Sequence, residues 1–241
     1  MENEKEFNRN DNIRRISLFF SGMLVFQLVA ILLTLIGFQT LIINLFGKSQ
    51  IEPILMFSSY LIGVAVSLAI FGKDNIIDVL KNFKVSKKVR DGISLAIIMV
   101  CCTLIYNLII SKLHPMTDNE NEAAVENMII NNPYLSFFTV VIFAPILEEI
   151  TYRFALFGVS KKLNRIAAYI ITMLVFAFLH FDFSATGEKM VIELLNLPAY
   201  IIAAGFLTFA YDYGGLATSI SAHAFNNLLS LVLTLVNKYL L

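Results

Sequence analysis

Long runs of apolar residues follow one another along the chain, separated by short polar segments. A hydrocarbon core about 30 Å thick is crossed by roughly 20 helical residues, and seven runs come close to or exceed that length. The runs are Ile16 to Phe46, Ile54 to Gly72, Ile93 to Leu113, Tyr134 to Phe157, Ile166 to Phe183, Leu194 to Tyr211 and Leu216 to Val236. We therefore predict an all-α fold, a polytopic transmembrane helix bundle of about seven spans.

The composition supports this prediction. The chain has 241 residues, of which 58% are hydrophobic and 15% charged, with a mean hydropathy of +0.75. A soluble domain carries about 25% charged residues, and the polar remainder here is too short for a separate soluble domain. Residues 1–241 are thus expected to form a single integral membrane domain. The first run is too long for a signal-peptide core and lacks a small-residue cleavage site, so we expect it to be retained.

Basic residues are shared unevenly among the connecting segments, and this imbalance predicts the orientation in the membrane. The amino tail 1–15 holds four of them, the segment after the second run holds six, and the segment after the fourth holds three. With seven spans, these three segments lie on one side. The other side has four lysines and an acidic stretch that includes Glu120, Glu122 and Glu126. We therefore predict a multi-pass protein of the cell membrane with a cytoplasmic tail at 1–15 and its carboxyl terminus outside.

The basic residues lie in loops and the net charge is zero, so nothing indicates a nucleic-acid partner, and the lipid bilayer is the expected surroundings. The basic segment 75–89 has two interpretations. Apolar residues spaced among its lysines are compatible with a short interfacial helix on anionic headgroups. A solvated basic loop is the favoured alternative.

The fourth run carries three ionisable residues within six positions, namely Glu148, Glu149 and Arg153. A charged side chain at the centre of a membrane helix costs about 2.5–3.5 kcal/mol on insertion scales, so this cluster indicates a functional site. Glu149 and Arg153 are four residues apart and share a helix face, which predicts an ion pair. Glu148 lies about 100° away around the helix and has no cation at that spacing, so it is the candidate general base.

Two later runs each carry one histidine, His180 and His223, and Asn227 follows His223 by one helical turn on the same face. Asn226 is expected to point elsewhere. A single histidine or asparagine inside a membrane often only bonds a neighbouring helix. Here each further ionisable group adds an insertion cost that packing alone does not explain.

Two chemistries fit these residues. In the first, Glu148 and His180 deprotonate a water that attacks a peptide carbonyl, while His223 and Asn227 donate hydrogen bonds to the developing oxyanion. In the second, Glu148, His180 and His223 hold a Zn²⁺ ion that polarises the water. Because no pair of histidines has the four-residue spacing of helix-borne zinc proteases, the sequence favours the first chemistry, without a cofactor.

The predicted span ends place the two main candidates at different depths. Glu148 lies roughly 21 Å from the outer end of its span, and His180 lies roughly 21 Å from the inner end of its own. Helix tilt, a kink at Pro145 or displaced span ends must absorb the difference if both residues share one site.

Three motifs on successive apolar runs resemble those of the CAAX-processing and bacteriocin-processing (CPBP, or Abi) family of intramembrane glutamic endopeptidases. They are Glu-Glu-x-x-x-Arg at Glu148, Glu149 and Arg153, Phe-x-x-x-His at Phe176 and His180, and His-x-x-x-Asn at His223 and Asn227. The match covers roughly residues 134 to 236, which are the expected catalytic core helices. Residues 1–133 carry no such motif.

The resemblance implies an α-helical endopeptidase that cleaves a membrane-associated peptide or protein. By this analogy Glu148, assisted by His180, activates water, His223 and Asn227 stabilise the oxyanion, and Glu149 and Arg153 have a structural role. Bacterial relatives are linked to the processing of bacteriocins and peptide pheromones, or to self-immunity. The Ile, Asn and Lys bias is typical of a bacterium of low GC content, so a prenylated substrate is not expected. The sequence does not define the oligomeric state.

A non-catalytic membrane scaffold or immunity protein of the same fold is the alternative. Such a protein is free to lose Glu148 or His180, and this chain keeps both, which favours an enzyme. A transporter should show a polar path across the membrane or paired discontinuous helices, and the sequence shows neither.

Overall fold

The computed structural model of the chain describes residues 2–112, 114 and 119–240, with side chains from residue 9 onward. Within these residues every regular element is helical, as predicted. The helices are α1 (Glu2–Leu35), α2 (Phe38–Phe46), α3 (Ile51–Phe71), α4 (Lys73–Phe83), α5 (Ser86–Ile110), α6 (Glu120–Asn131), α7 (Pro133–Ser160), α8 (Arg165–Leu179), α9 (Glu188–Gly214) and α10 (Leu216–Leu240). A 3₁₀ turn, Lys48–Gln50, joins α2 to α3.

Six of these helices, α1, α3, α5, α7, α9 and α10, are long and apolar enough to cross a membrane, and α8 is a shorter apolar helix. The protein is thus a multi-pass helical membrane protein of about seven spans. The fifth predicted span, Ile166 to Phe183, is shorter than expected because α8 ends at Leu179. The predicted end of the third span, Leu113, lies outside the described residues.

The prediction of one continuous helix from Ile16 to Phe46 was wrong, because two helices cover these residues. The helix α1 ends at Leu35, and α2 begins at Phe38 after Gly37, whose φ of 77° interrupts the helical backbone. Glycine adopts this left-handed conformation without steric cost. At the other end of α1, the helix starts at Glu2, so the described part of the polar tail 1–15 is continuous with the span.

The segment favoured as a solvated loop contains the helix α4, so that preference was wrong. Its apolar residues Ile76, Val79 and Phe83 pack against a core cluster that includes Phe71 and Phe154. Spacings of three and four residues place these side chains on one helix face. The packing of this partly buried face against the core explains why the segment is helical.

The helix α7 lies at the centre of the bundle. Half of its most apolar segment is buried inside the protein, a larger share than for any other span in the described residues. It contacts α1, α3, α8, α9 and α10. Two stretches, Phe137–Phe143 and Glu149–Phe157, are π-helical and flank the α-helical stretch Ala144–Glu148. Short π-helical segments occur frequently at functional sites.

The helices α5 and α10 approach closely at Gly92. A Cβ atom at this position would lie 2.5 Å from the carbonyl oxygen of Thr218 and 2.9 Å from Cβ of Ser221. Small residues at such crossings let the backbones of membrane helices pack together. The absence of a side chain at Gly92 therefore sets the distance between these helices.

We expect Gly92→Ala to destabilise the protein by about 1–3 kcal/mol, because the added methyl group meets a backbone oxygen that cannot move aside. The measurement is the midpoint of thermal unfolding in detergent. Gly205→Ala is the matched control, since its Cβ would meet only the flexible end of Met173, at 3.3 Å. Equal midpoints for the two variants would show that the crossing tolerates a side chain.

Candidate active site

Glu149 and Arg153 form an ion pair in the middle of the bundle. Oε1 of Glu149 accepts a hydrogen bond of 2.8 Å from Nη1 of Arg153, and neither side chain has any exposed surface. The guanidinium also lies over the ring of Phe176, with Cζ 4.5 Å from the ring centroid. The predicted pair is therefore present, and the arginine is further held by a cation–π contact with α8.

The same carboxylate oxygen binds His223 of α10, with Nδ1 of the ring 2.8 Å from Oε1 of Glu149. A carboxylate paired with an arginine only accepts hydrogen bonds, so Nδ1 of His223 is the donor. The other ring nitrogen, Nε2, lies 3.9 Å from Oε2 of Glu148. His223 thus joins the two adjacent glutamates, with one ring nitrogen facing each.

Glu148 differs from its neighbour in its surroundings. Its side chain is 15% exposed, whereas that of Glu149 is fully buried. It lines a cavity of about 580 Å³, together with Tyr60 of α3. The phenol of Tyr60 and the carboxylate of Glu148 are near enough to interact electrostatically. One glutamate is therefore held inside the protein and the other faces an open space.

His180 follows the last residue of α8 and lies between two aromatic rings. Phe176 is on one side, with ring centroids 4.6 Å apart, and Tyr200 of α9 stacks on it with centroids 4.8 Å apart. Nδ1 of His180 is 2.8 Å from the carbonyl oxygen of Phe176, which can only accept, so Nδ1 carries the proton. In the neutral ring Nε2 is then unprotonated and able to accept a proton.

The Phe-x-x-x-His motif is explained by these contacts. Phe176 supplies the carbonyl that fixes the orientation of His180, a ring that packs against the imidazole, and a face for the guanidinium of Arg153. One residue of α8 thereby connects the buried ion pair to the histidine at the edge of the cavity.

Asn227 of α10 is bonded to the backbone of α7. Its Nδ2 donates to the carbonyl oxygen of Val140 at 2.9 Å, and its Oδ1 accepts from Nδ2 of Asn226 at 3.2 Å. In the π-helical pattern a carbonyl pairs with the N–H five residues later, and for Val140 that residue is Pro145, which has no N–H. The amide of Asn227 thus satisfies the carbonyl that Pro145 leaves free. The second N–H of Asn227 is not used in this bond.

Glu148, His180, His223 and Asn227 all line the same cavity. The large depth difference inferred from the sequence is therefore not present, and the observed helix ends account for part of the change. Glu148 is 12 residues, or about 18 Å, from Ser160 at the end of α7, and His180 is 15 residues, or about 22 Å, from Arg165 at the start of α8. Since a short connection joins those two ends, the two residues lie at similar distances along their helices from the same side of the bundle.

Several residues that line the cavity were not identified from the sequence, and three of them contact the candidate site residues. Tyr60 and Tyr200 are aromatic residues of apolar runs, and nothing in their local sequence separates them from packing residues. Asn226 was expected to point elsewhere, but it lines the cavity and bonds Asn227. Its position beside the motif asparagine was an available signal.

Among the described residues, no three His, Cys, Asp or Glu side chains are spaced to hold a metal ion. The two candidate imidazoles use Nδ1 for hydrogen bonds within the protein, which leaves Nε2 of each as the atom that can act in the cavity.

The fold and these side chains define the class of protein: a polytopic membrane protein with glutamate and histidine side chains around a cavity inside the helix bundle. Residues 130–229 match the family model described as type II CAAX prenyl endopeptidase Rce1-like. All three motifs lie within the matched residues. The resemblance to the CPBP family predicted from those motifs is thereby confirmed for this part of the chain.

Two curated bacterial proteins are similar in sequence. An uncharacterised protein of Mycoplasma capricolum subsp. capricolum is 30% identical over 174 residues, which cover 66% of this chain and 48% of the relative. The UPF0177 protein YvdC of Lactococcus lactis subsp. lactis is 27% identical over 192 residues, which cover 79% of this chain and 69% of the relative. The chain thus spans about half the length of the first relative. No solved structure matches the chain significantly.

We expect Glu149→Ala and Arg153→Ala each to destabilise the protein by about 3–5 kcal/mol, because each leaves the partner charge buried without neutralisation. Thermal unfolding in detergent measures the effect. Glu148→Ala is the matched control, since it removes the adjacent, partly exposed carboxylate and should leave the unfolding midpoint nearly unchanged. A Glu149→Ala protein as stable as this control would contradict the role given to the ion pair.

We further expect the neutral forms of His180 and His223 to carry the ring proton on Nδ1, because each Nδ1 faces an oxygen that only accepts. Solid-state NMR of protein labelled with ¹⁵N-histidine in lipid, at alkaline pH, distinguishes the tautomers. The chain has three histidines, so His114→Gln removes the one signal from outside the site. An Nε2–H signal from either remaining ring would contradict the hydrogen bonds described here.

Proposed function

We propose that the protein is an intramembrane endopeptidase that hydrolyses a peptide bond in a membrane-associated peptide or protein. The observation that carries this proposal is the convergence of Glu148, His180, His223 and Asn227, from three helices, on one cavity within the bundle. The similarity to the Rce1-like family supports the same reaction class. The cavity volume is within the range of 300–1,000 Å³ that is usual for ligand sites.

Glu148 acts as the general base in the proposed mechanism. Its carboxylate takes a proton from a water in the cavity, and the oxygen of that water adds to the carbonyl carbon of the substrate. His180, which lines the same cavity as Glu148, assists through Nε2, the ring nitrogen that can accept a proton. Phe176 and Tyr200 keep the imidazole in a fixed orientation between them.

The oxyanion formed by this addition is stabilised from α10. The free N–H of Asn227 donates to it, and the bond from Nδ2 to Val140 holds the amide in place. Nε2 of His223 is the second donor, which requires a second proton on the ring because Nδ1 already donates to Glu149. Removal of one such donor typically lowers kcat by about 10²–10³-fold.

The intermediate then collapses with cleavage of the C–N bond. The proton held by Glu148 or His180 passes to the leaving nitrogen, so the products are a carboxylate and an amine, and the base is restored for a further cycle. No metal or other cofactor is needed for these steps.

Processing of a bacteriocin or pheromone peptide, or self-immunity against such a peptide, is the biological role that we propose for this activity. We also propose that the amino terminus is cytoplasmic, on the basis of the uneven distribution of basic residues.

We expect Glu148→Gln and His180→Ala to reduce proteolysis by at least about 10²-fold, because each removes a group that handles the proton, while both variants stay folded and inserted. The measurement is a comparison of the membrane peptides of host cells that express wild type or a variant, with detection of an uncut polypeptide that accumulates. Glu52→Gln, at the start of α3 and outside the cavity, is the matched control.

Chelators should leave the activity unchanged, and purified active protein should contain no stoichiometric zinc. Loss of activity on chelation, with recovery on addition of Zn²⁺, would favour the metal-dependent chemistry instead. A Glu148→Gln variant with the wild-type peptide profile and phenotype would favour a non-catalytic scaffold.

A further inference from the structure

The carboxyl-terminal half of α10 is polar on one side only. Between residues 226 and 237 the polar residues are Asn226, Asn227, Ser230, Thr234 and Asn237, and the other seven are all Leu or Val. At about 100° per residue, the five polar positions fall within a sector of about 100°. His223 lies in the same sector. A membrane helix thus presents one continuous row of polar groups, which we call the polar ladder.

The polar ladder faces the cavity. All five of its residues line the same space as Glu148 and His180. From His223, in the proposed reaction centre, to Asn237, the last residue of the ladder, the helix advances by 14 residues, or about 21 Å, which matches about six residues of an extended polypeptide. The ladder therefore connects the proposed reaction centre to the end of the helix.

The hydrogen-bonding groups of the outer ladder are not used within the described part of the protein. The side chains of Ser230, Thr234 and Asn237 make no hydrogen bond to a described residue. The hydroxyls of Ser59 and Thr151 bond the carbonyl four residues earlier in their own helix, whereas those of Ser67, Thr172 and Thr218 are buried in the protein without a partner. The outer ladder differs from both groups, because its unpartnered groups line the cavity and are accessible to a molecule bound there.

We propose that the polar ladder binds the substrate as an extended polypeptide segment, over about six positions on one side of the cleaved bond. An extended chain presents one N–H and one C=O per residue, and the hydroxyl and amide groups of Ser230, Thr234 and Asn237 supply matching acceptors and donors. This inference rests on the proposed proteolytic function and adds how the substrate is held.

The test is photo-cross-linking in host membranes, with p-benzoylphenylalanine introduced at one position at a time in the Glu148→Gln protein. The ladder positions are Ser230, Thr234 and Asn237. Met56, which lines the cavity from α3, monitors the cavity independently of the ladder, and Val232 of α10 is an exposed apolar position outside the polar sector. Mass spectrometry of each adduct identifies the attached molecule and the linked residue.

The expected result is that Ser230, Thr234 and Asn237 attach to one polypeptide at sites that follow each other in order along its chain, within about six residues. Val232 should attach to lipid only. A polypeptide cross-linked at position 56 but at none of the ladder positions would contradict substrate binding along the ladder. The proposed proteolytic function would be unaffected, and the polar row would then serve only as a path for water. The absence of any captured polypeptide, at Met56 as well, would count against both.

A kinetic comparison on the captured polypeptide gives a second readout. Thr234→Val keeps the shape of the side chain and removes its hydroxyl, so KM should rise about 2- to 10-fold while kcat is unchanged, and Thr234→Ser should restore KM. Val232→Thr, outside the polar sector, should change neither constant. An unchanged KM for Thr234→Val, or a loss confined to kcat, would contradict binding along the ladder.

Discussion

The carboxylate of Glu149 is the group on which the site depends. A carboxylate with no exposed surface inside a membrane protein must be neutralised, and Arg153, one turn away, does so. Because the same oxygen also accepts from His223, the helices α7 and α10 are joined at the point where the candidate chemistry takes place. The guanidinium extends the connection to α8 through Phe176. The residues that stabilise the bundle and those that define the site are therefore one connected group.

The backbone of α7 is adapted to this arrangement. Its two π-helical stretches and Pro145 alter the internal hydrogen-bonding pattern close to Glu148. In lipid a backbone carbonyl that loses its partner must find another, and Val140 finds the amide of Asn227. The irregular helix and the asparagine are thus explained together. The bond also fixes which end of the Asn227 amide points towards α7.

The sequence predicted the kind of fold and the members of the site better than their geometry. Charged residues within apolar runs are rare, so Glu148, Glu149, Arg153 and both histidines stood out without any knowledge of the packing. The ends of α1 and α8 could not be recognised in the same way, because Gly37 and the segment after Leu179 interrupt the helices within runs that stay apolar. Tyr60 and Tyr200 were missed because an aromatic residue in a membrane helix has the same local signature wherever it faces. The contact between His223 and Glu149 joins residues 74 positions apart, which no local pattern reveals.

The short length of α8 has a consequence for the surrounding lipid. Fifteen residues extend about 22 Å, which is roughly 8 Å less than the usual hydrocarbon thickness. Local thinning of the bilayer, with headgroups and solvent drawn inward beside the short helix, is one way in which such a hydrophobic mismatch is relieved. His180 directly follows Leu179, the last residue of α8, and thinning at this end of the helix would bring solvent towards its imidazole. The proposed hydrolytic reaction would then have a nearby supply of solvent without a channel across the whole membrane.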